Sequence, residues 1–130
     1  MTALSNVKIK PGTTPVLSAV IDHLDITEAT VYVTIYSGGD DYTKSNYFDD
    51  GTVSLDTIYD EVDGHFLGTE VTVKYTQEET VNMRPGHAKM QIGWVLEDGT
   101  ADKTNLARVY IPKTLIHHVM RYGRAVVEEE

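Results

Sequence analysis

The sequence contains no cysteine, which excludes disulfide bonds and thiolate chemistry and suits a protein made in a reducing cytoplasm. No apolar run approaches the ~20 residues of a membrane-spanning helix, and the first residues lack the pattern of a secretion signal. Lys and Arg number 11 against 20 Asp and Glu, a formal charge of -9 that repels phosphate backbones. We therefore expect a soluble protein without a secretion signal that binds neither nucleic acid nor membrane.

The chain also lacks the motifs of common catalytic and metal sites. It has no Gly-x-Ser-x-Gly elbow, no Walker loop and no Gly-x-Gly-x-x-Gly after a strand. The adjacent His117 and His118 would diverge on a helix, so both do not easily hold one zinc ion. We expect no enzymatic activity, no cofactor and no metal site.

Acidic residues are concentrated between positions 49 and 63. Calcium takes about six to eight oxygen ligands, but Asp60-x-x-Asp63-Gly64 does not fit the spaced carboxylates of a calcium loop. We favour a solvated, charge-rich loop, and calcium binding by this stretch stays open. The acidic residues concerned are Asp49, Asp50, Asp56, Asp60, Glu61 and Asp63.

Two segments in the middle of the chain, 69–75 and 88–96, alternate apolar with polar residues, which predicts strands with one buried face. Trp94 lies on the apolar side of the second segment, and we expect it to be the core aromatic residue. Between the segments, Thr76 and Glu79 form a capping-box pattern, which predicts a single helical turn. The apolar side of the second segment consists of Ala88, Met90, Ile92, Trp94 and Leu96.

Further strands are predicted on both sides of this central unit. Residues 16–21 are mostly apolar on both faces, which predicts a strand inside the sandwich. Asp98-Gly99 marks a hairpin. Residues 49–68 fit either one weak strand with long loops or an insertion with a short helix, and we favour a strand near 52–55. The remaining predicted strands cover residues 7–10, 29–36, 42–47 and 107–111.

About seven short strands separated by turn signals predict an all-β fold, an immunoglobulin-like antiparallel β-sandwich. We expect this domain to cover residues 1–113. Residues 114–130 differ in character and predict a short C-terminal helix, capped by Thr114 and stopped by Gly123, or an extended arm. Apolar residues of this segment must pack on their own domain or on a neighbour.

Eight tyrosines are the most informative residue class. Val31, Val33 and Ile35 point to one side of their strand, so Tyr32 and Tyr36 point to the other. Tyrosine is favoured at protein interfaces, and it is also favoured in strands through its β propensity alone, so both interpretations stay open. The candidate interface residues are Tyr32, Tyr36, Tyr110, Leu115, Ile116, Val119, Met120 and Tyr122.

Three motifs resemble a family of structural proteins from prophages and tailed phages of Gram-positive hosts, similar to the N-terminal domain of baseplate upper proteins. The first is the strand and turn of residues 6–15, Asn-Val-Lys-Ile-Lys-Pro-Gly-Thr-Thr-Pro. The second is the strand of residues 71–75 followed by Thr-Gln-Glu-Glu-Thr at 76–80. The third is Pro-Gly-His-Ala-Lys-Met-Gln-Ile at 85–92, followed by the Asp-Gly-Thr hairpin at 98–100. The acidic stretch before Gly68 and the tail after Pro112 depart from the family pattern.

The resemblance implies a virion structural or assembly protein, associated with a tail or baseplate, that is made in the host cytoplasm and works through protein partners. The resemblance provides no catalytic residues that could be carried over to this sequence, and we expect a homo-oligomer. The alternative is a carbohydrate-binding or host-adhesion β-sandwich module, in which tyrosines and Trp94 stack on sugars. That alternative requires Trp94 on a solvated face.

Overall fold

A computed structural model describes residues 7–48, 50–116 and 118–123 and shows an all-β sandwich. Its strands are β1 (Val7–Lys8), β2 (Val16–Asp22), β3 (Thr30–Ser37), β4 (Asp40–Ser45), β5 (Val53–Tyr59), β6 (Phe66–Lys74), β7 (Gly86–Val95), β8 (Ala101–Lys103) and β9 (Ala107–Ile111). Within the described residues a six-stranded sheet has the order β1-β9-β7-β3-β4 with β8 beside β7, and a three-stranded sheet has the order β2-β6-β5. One helix, α1 (Gln77–Val81), and a 3-10 turn at Asn46–Phe48 complete the described elements.

The strand order confirms the immunoglobulin-like sandwich. Strands β2, β6 and β5 take the places of strands B, E and D in an immunoglobulin sheet. Strands β9, β7, β3 and β4 take the places of G, F, C and C′, as in a variable-type domain. Trp94 lies on β7, the F position, whereas immunoglobulin domains carry their core tryptophan on strand C.

The core forms because the period-2 alternation turns one face of each sheet inward. On β7, Ala88, Met90, Ile92 and Trp94 are buried, and Trp94 is only 5% exposed. Apolar residues of β3 lie beside them, and β2 and β6 supply the facing layer. The predicted inward positions of residues 29–36, 88–94 and 107–111 are therefore confirmed.

The predicted capping box begins α1. Thr76 Oγ1 accepts a hydrogen bond from the Glu79 N–H (3.2 Å), and the Thr76 N–H donates to Glu79 Oε1 (2.8 Å). The buried Thr80 hydroxyl accepts from the N–H groups of Gly12 and Thr13, both at 3.0 Å. This hydroxyl therefore ties the turn after β1 to the helix between the two sheets.

The described residues contain nine strands, against about seven predicted. The favoured strand near 52–55 is confirmed as β5, which extends to Tyr59 and pairs with β6, whose start at Phe66 also lies in the 49–68 stretch. The last predicted strand is preceded by β8, and both β8 and β9 pair with β7. Thr104 separates them: its N–H donates to the Ile92 carbonyl (2.9 Å), while its Oγ1 accepts from the Ile92 N–H (3.2 Å).

Two further predictions about the strands were wrong. The sandwich is not wholly antiparallel, because β1 pairs with β9 in parallel. Strand β2 is not an interior strand, because it lies at the edge of the three-stranded sheet and pairs only with β6. Val16 is accordingly 59% exposed, while Ile21 is buried. Apolar residues on both faces of β2 thus reflect a half-covered edge rather than burial on both sides.

The C-terminal helix is not formed in the described part of residues 112–123, where the chain is an irregular arm. The Thr114 hydroxyl donates to the Ile116 carbonyl (3.3 Å) instead of capping a helix. The side-chain amide of Gln77 accepts from the Met120 N–H and donates to the Met120 carbonyl (3.0 Å). In the described residues of this segment, an arm without helix is found rather than the predicted helix. Within the described residues, no helix is long and apolar enough to cross a membrane.

Gly68 gives a test of the packing between β2 and β6. A Cβ atom at Gly68 would lie 2.2 Å from the Ile21 carbonyl oxygen, and its φ is +154°. We expect Gly68→Ala to lower the free energy of unfolding by about 2–4 kcal/mol, because the backbone of β2 at Ile21 would have to move away from the added Cβ atom. Urea denaturation measures this change.

Gly93 is the matched control, because a Cβ there would meet only ordinary contacts at 3.6 Å. Gly93→Ala should change the stability by less than about 1 kcal/mol. Equal stability losses in the two variants would contradict the close approach of β2 and β6.

Candidate functional site

The outer face of the six-stranded sheet carries the predicted tyrosines. Tyr32 and Tyr36 extend outward from β3 with exposures of 40% and 50%, and Tyr110 extends outward from β9 with 48%. Strand β7 separates β3 from β9, so the structure brings the three tyrosines to one face. The His87 and Tyr110 rings lie 5.9 Å apart.

The same face is lined by basic residues, and we call it the basic face. Pairing of the strands places Lys89 opposite Arg108 and Lys8 opposite Tyr110. Lys103 and Tyr32 both lie opposite Gly93, one on each side of β7, so they occupy the same row of the face. The basic face consists of Lys8, Tyr32, Tyr36, His87, Lys89, Lys103, Arg108 and Tyr110. Its four Lys and Arg stand out in a chain with a formal charge of -9.

The pairing of Lys89 with Arg108 is unfavourable within the domain. The two residues lie directly opposite each other on neighbouring strands, and like charges in that position destabilise a sheet. Both are exposed, and neither forms a salt bridge with any residue in the described ranges. Among the strand positions that face outward here, all described, the one acidic residue is Asp41 on the edge strand β4, because Asp40 and Asp102 occupy positions on the other side of the sheet. An acidic partner surface would relieve this repulsion.

Beside this pair lies a shallow depression of about 430 Å³, to which His87, Lys89, Leu106 and Arg108 contribute. Leu106 is 54% exposed, so an apolar side chain lies among the basic ones. Exposed apolar, aromatic and Arg residues grouped in this way are typical of protein-binding surfaces.

The arm forms a second, separate surface. Leu115 is 95% exposed, Ile116 44% and Met120 39%. The Met120 backbone is held by its two hydrogen bonds to the Gln77 side chain, which we call the Gln77 clamp. Val119 is half-buried and Tyr122 is exposed. The arm lies at the end of the sandwich beside α1, so the structure does not bring its residues onto the basic face. A groove of about 520 Å³ runs beneath it, lined by Pro11, Val81, Met83, Pro85, Lys113, Thr114 and Leu115.

Sequence reasoning identified the tyrosines but missed the basic residues between them. The alternation of each strand puts His87 and Lys89 on the polar side of β7 and Arg108 on the polar side of β9. That Lys89 faces Arg108 depends on pairing between strands far apart in sequence. Local alternation carries no signal for such pairing.

Lys44 and Glu79 form a salt bridge of 2.5 Å, and the Lys44 Nζ lies 5.6 Å from the centre of the buried Tyr75 ring. Partial burial opposes the ionised form of Glu79, but hydrogen bonds from Lys44 and the Thr76 N–H outweigh it and lower the pKa of Glu79. Burial, with the nearby Glu79 charge, raises the pKa of Tyr75. This cluster joins β4, β6 and α1, and it closes the end of the core rather than forming an open site.

The acidic stretch is dispersed by the fold. Asp56 points outward from β5, Asp49 lies outside the described residues, and within them Asp60, Asp63 and His65 come within 4.8 Å of one another. These side chains are engaged in the β5–β6 turn: Asp60 Oδ1 accepts from the Val62 N–H (2.7 Å), and Asp63 Oδ1 from the His65 N–H (3.0 Å). Hydrogen bonds from the backbone and the side chain of His65 lower the pKa of Asp63. Turn formation thus accounts for the cluster.

The comparisons with known proteins add no relatives. No family model matches the chain, and the search of curated proteins finds no match.

The two hydrogen bonds made by Gln77 predict that this side chain protects the Met120 backbone in the arm. Gln77→Ala removes both hydrogen bonds to Met120, so we expect the Met120 amide to exchange with solvent at least about tenfold faster. Hydrogen exchange followed by NMR measures this rate. Glu78→Ala, an exposed neighbour on α1, is the control and should leave the rate unchanged. Unchanged exchange in Gln77→Ala would contradict the clamp.

The raised pKa of Tyr75 predicts a loss of stability in alkali. The unfolded chain ionises Tyr75 near pH 10 while the folded chain keeps it protonated, so stability falls as the pH rises above 10. This residue accounts for a loss of about 1 kcal/mol between pH 9 and 11. Urea denaturation of Tyr75→Phe should show a correspondingly weaker pH dependence.

Tyr47→Phe is the control, because Tyr47 is 73% exposed. It should follow the unsubstituted protein across this pH range. A pH dependence that is the same in all three proteins would contradict the buried phenol.

Proposed function

We propose that the protein is a non-catalytic structural or assembly module that acts through protein–protein contacts made by the basic face and the arm. The observation that carries this proposal is the grouping of three exposed tyrosines with basic residues on one sheet face. Tyr and Arg are enriched where interfaces concentrate their binding energy. Leu115 and its neighbours on the arm supply further apolar surface.

The setting that we propose is the virion of a phage or prophage, at its tail or baseplate. Its support is the resemblance of residues 6–15, 71–80 and 85–100 to structural proteins of phages from Gram-positive hosts. These three segments form β1 with its turn, the end of β6 with α1, and β7 with the start of its hairpin. The Thr80 hydroxyl of α1 bonds the turn after β1, so the first two segments are in contact. The protein would be made in the host cytoplasm and built into the particle as an oligomer.

A carbohydrate-binding module is the weaker candidate. It required Trp94 on a solvated face, but Trp94 is 5% exposed and lies in the core. Tyr32, Tyr36 and Tyr110 would have to bind sugar without it. A glycan array tests this alternative, and binding abolished by Tyr36→Ala would favour it over the assembly role.

Particle composition tests the proposed setting. After prophage induction in the source strain, tailed particles purified on a density gradient should contain this protein, as measured by quantitative mass spectrometry. Its absence from particles, together with its presence in the soluble fraction, would contradict the virion role.

The two surfaces can be tested in the same assay. We expect Tyr36→Ala with Tyr110→Ala to reduce incorporation at least about tenfold, because interface tyrosines often contribute more than about 1 kcal/mol each. Deletion of residues 114–130 should also reduce it. Tyr47→Ala is the control, since Tyr47 is an exposed tyrosine away from the basic face. Normal incorporation of both test variants would contradict the assignment of these surfaces.

A further inference from the structure

The outer face of the three-stranded sheet is opposite in charge to the basic face. Asp56 on β5 lies directly opposite Glu70 on β6, and neither residue forms a salt bridge within the described residues. Lys74 is the basic residue of this face. We call this surface the acidic face; its charged residues are Asp22, Asp56, Glu70 and Lys74, and a row of Ser18, Ser54 and Thr72 crosses it. The strand pairing places three apolar residues on the same face, Val16, Val20 and Ile58.

Each outer face therefore contains one cross-strand pair of like charges. Repulsion within each pair destabilises the isolated domain. The pairs are Lys89 with Arg108 on the basic face and Asp56 with Glu70 on the acidic face. The two faces lie on opposite sides of the sandwich, because the inner faces of both sheets share one core. A contact between the basic face of one molecule and the acidic face of another would neutralise both pairs.

We propose that this chain associates with a second copy of itself, basic face against acidic face. The proposal deepens the proposed function, since it names a copy of this chain as one partner of the assembly module. The contact uses two different surfaces and is heterologous, so one copy of a pair keeps its acidic face free and the other keeps its basic face free. Because those faces lie on opposite sides, copies add in one direction and form stacks.

The size of the acidic face sets the expected strength. Three strands about 4.8 Å apart and about seven residues long, at about 3.3 Å each, cover on the order of 300 Å² per copy. Standard interfaces bury about 800 Å² per partner, so we expect a weak contact with a Kd in the micromolar range. Electrostatic attraction decides the orientation, because docking like faces would place equal charges together.

Crossed charge reversals test the contact. In one variant, Lys89→Glu with Arg108→Glu makes both faces acidic. In the other, Asp56→Lys with Glu70→Lys makes both faces basic. Sedimentation velocity near 0.1 M salt, from about 10 to 500 μM protein, gives the weight-average mass. The unsubstituted protein should rise above the monomer mass with concentration, and each variant alone should stay monomeric.

Mixing the two variants in equal amounts should restore association, because the basic face of the second meets the acidic face of the first. The control, Lys10→Glu with Arg84→Glu, makes the same charge change at exposed residues outside both faces and outside the arm, and should associate normally. Monomeric unsubstituted protein, association of either variant alone, or a monomeric mixture would overturn the proposal.

Neutral variants distinguish loss of the contact between copies from loss of the fold. Lys89→Gln with Arg108→Gln should abolish association and at the same time raise the urea midpoint of the monomer, because the repulsion between the two side chains is gone. Unchanged association would overturn the proposal. Presence in purified particles is a separate measurement, so a monomer found in particles would refute the self-contact alone. A stacking protein absent from particles would refute the virion role alone.

Discussion

The pairing of β7 with β3 and β9 is the constraint on which the rest of the structure depends. Because β7 has hydrogen-bonded neighbours on both sides, its alternation fixes which residues of three strands enter the core. Burial of Trp94 and its neighbours is incompatible with a shift of one residue, since such a shift would turn Lys89 and Gln91 inward. The same constraint turns Tyr32, Tyr36, Tyr110 and the basic residues outward. The register of β7 with β3 and β9 thus determines both which side chains form the core and which form the basic face.

Buried threonine hydroxyl groups hydrogen-bond backbone groups where the regular pairing between strands ends. Thr80 bonds the backbone of the turn after β1, and Thr104 bonds Ile92 between β8 and β9. Thr69 accepts from the Ile26 N–H (3.0 Å) and donates to the Leu24 carbonyl (2.8 Å). Each threonine satisfies backbone groups that burial would otherwise leave unpaired, at a cost of about 1–3 kcal/mol per group. These side chains let short, irregular connections pack against a small core.

The sequence predicted what depends on neighbours along the chain. Strand alternation in residues 88–96, the capping box at Thr76 and the outward direction of Tyr32 and Tyr36 are all local patterns, and the structure has them. The parallel pairing of β1, the edge position of β2 and the facing of Lys89 with Arg108 depend on which distant strands become neighbours. The arm illustrates the same limit, because the apolar spacing of residues 115–120 suits a helix while Gln77, far away in sequence, bonds the chain in an irregular form.

The absence of cysteine makes the central claim directly measurable, since single cysteines can be introduced one at a time along residues 87–95. Labelling of the native protein with a thiol reagent should be fast at 87, 89, 91, 93 and 95. At 88, 90, 92 and 94 it should be limited by unfolding, because these side chains lie between the two sheets. Reactivity that is uniform along the segment, or that repeats every three to four residues, would contradict the account.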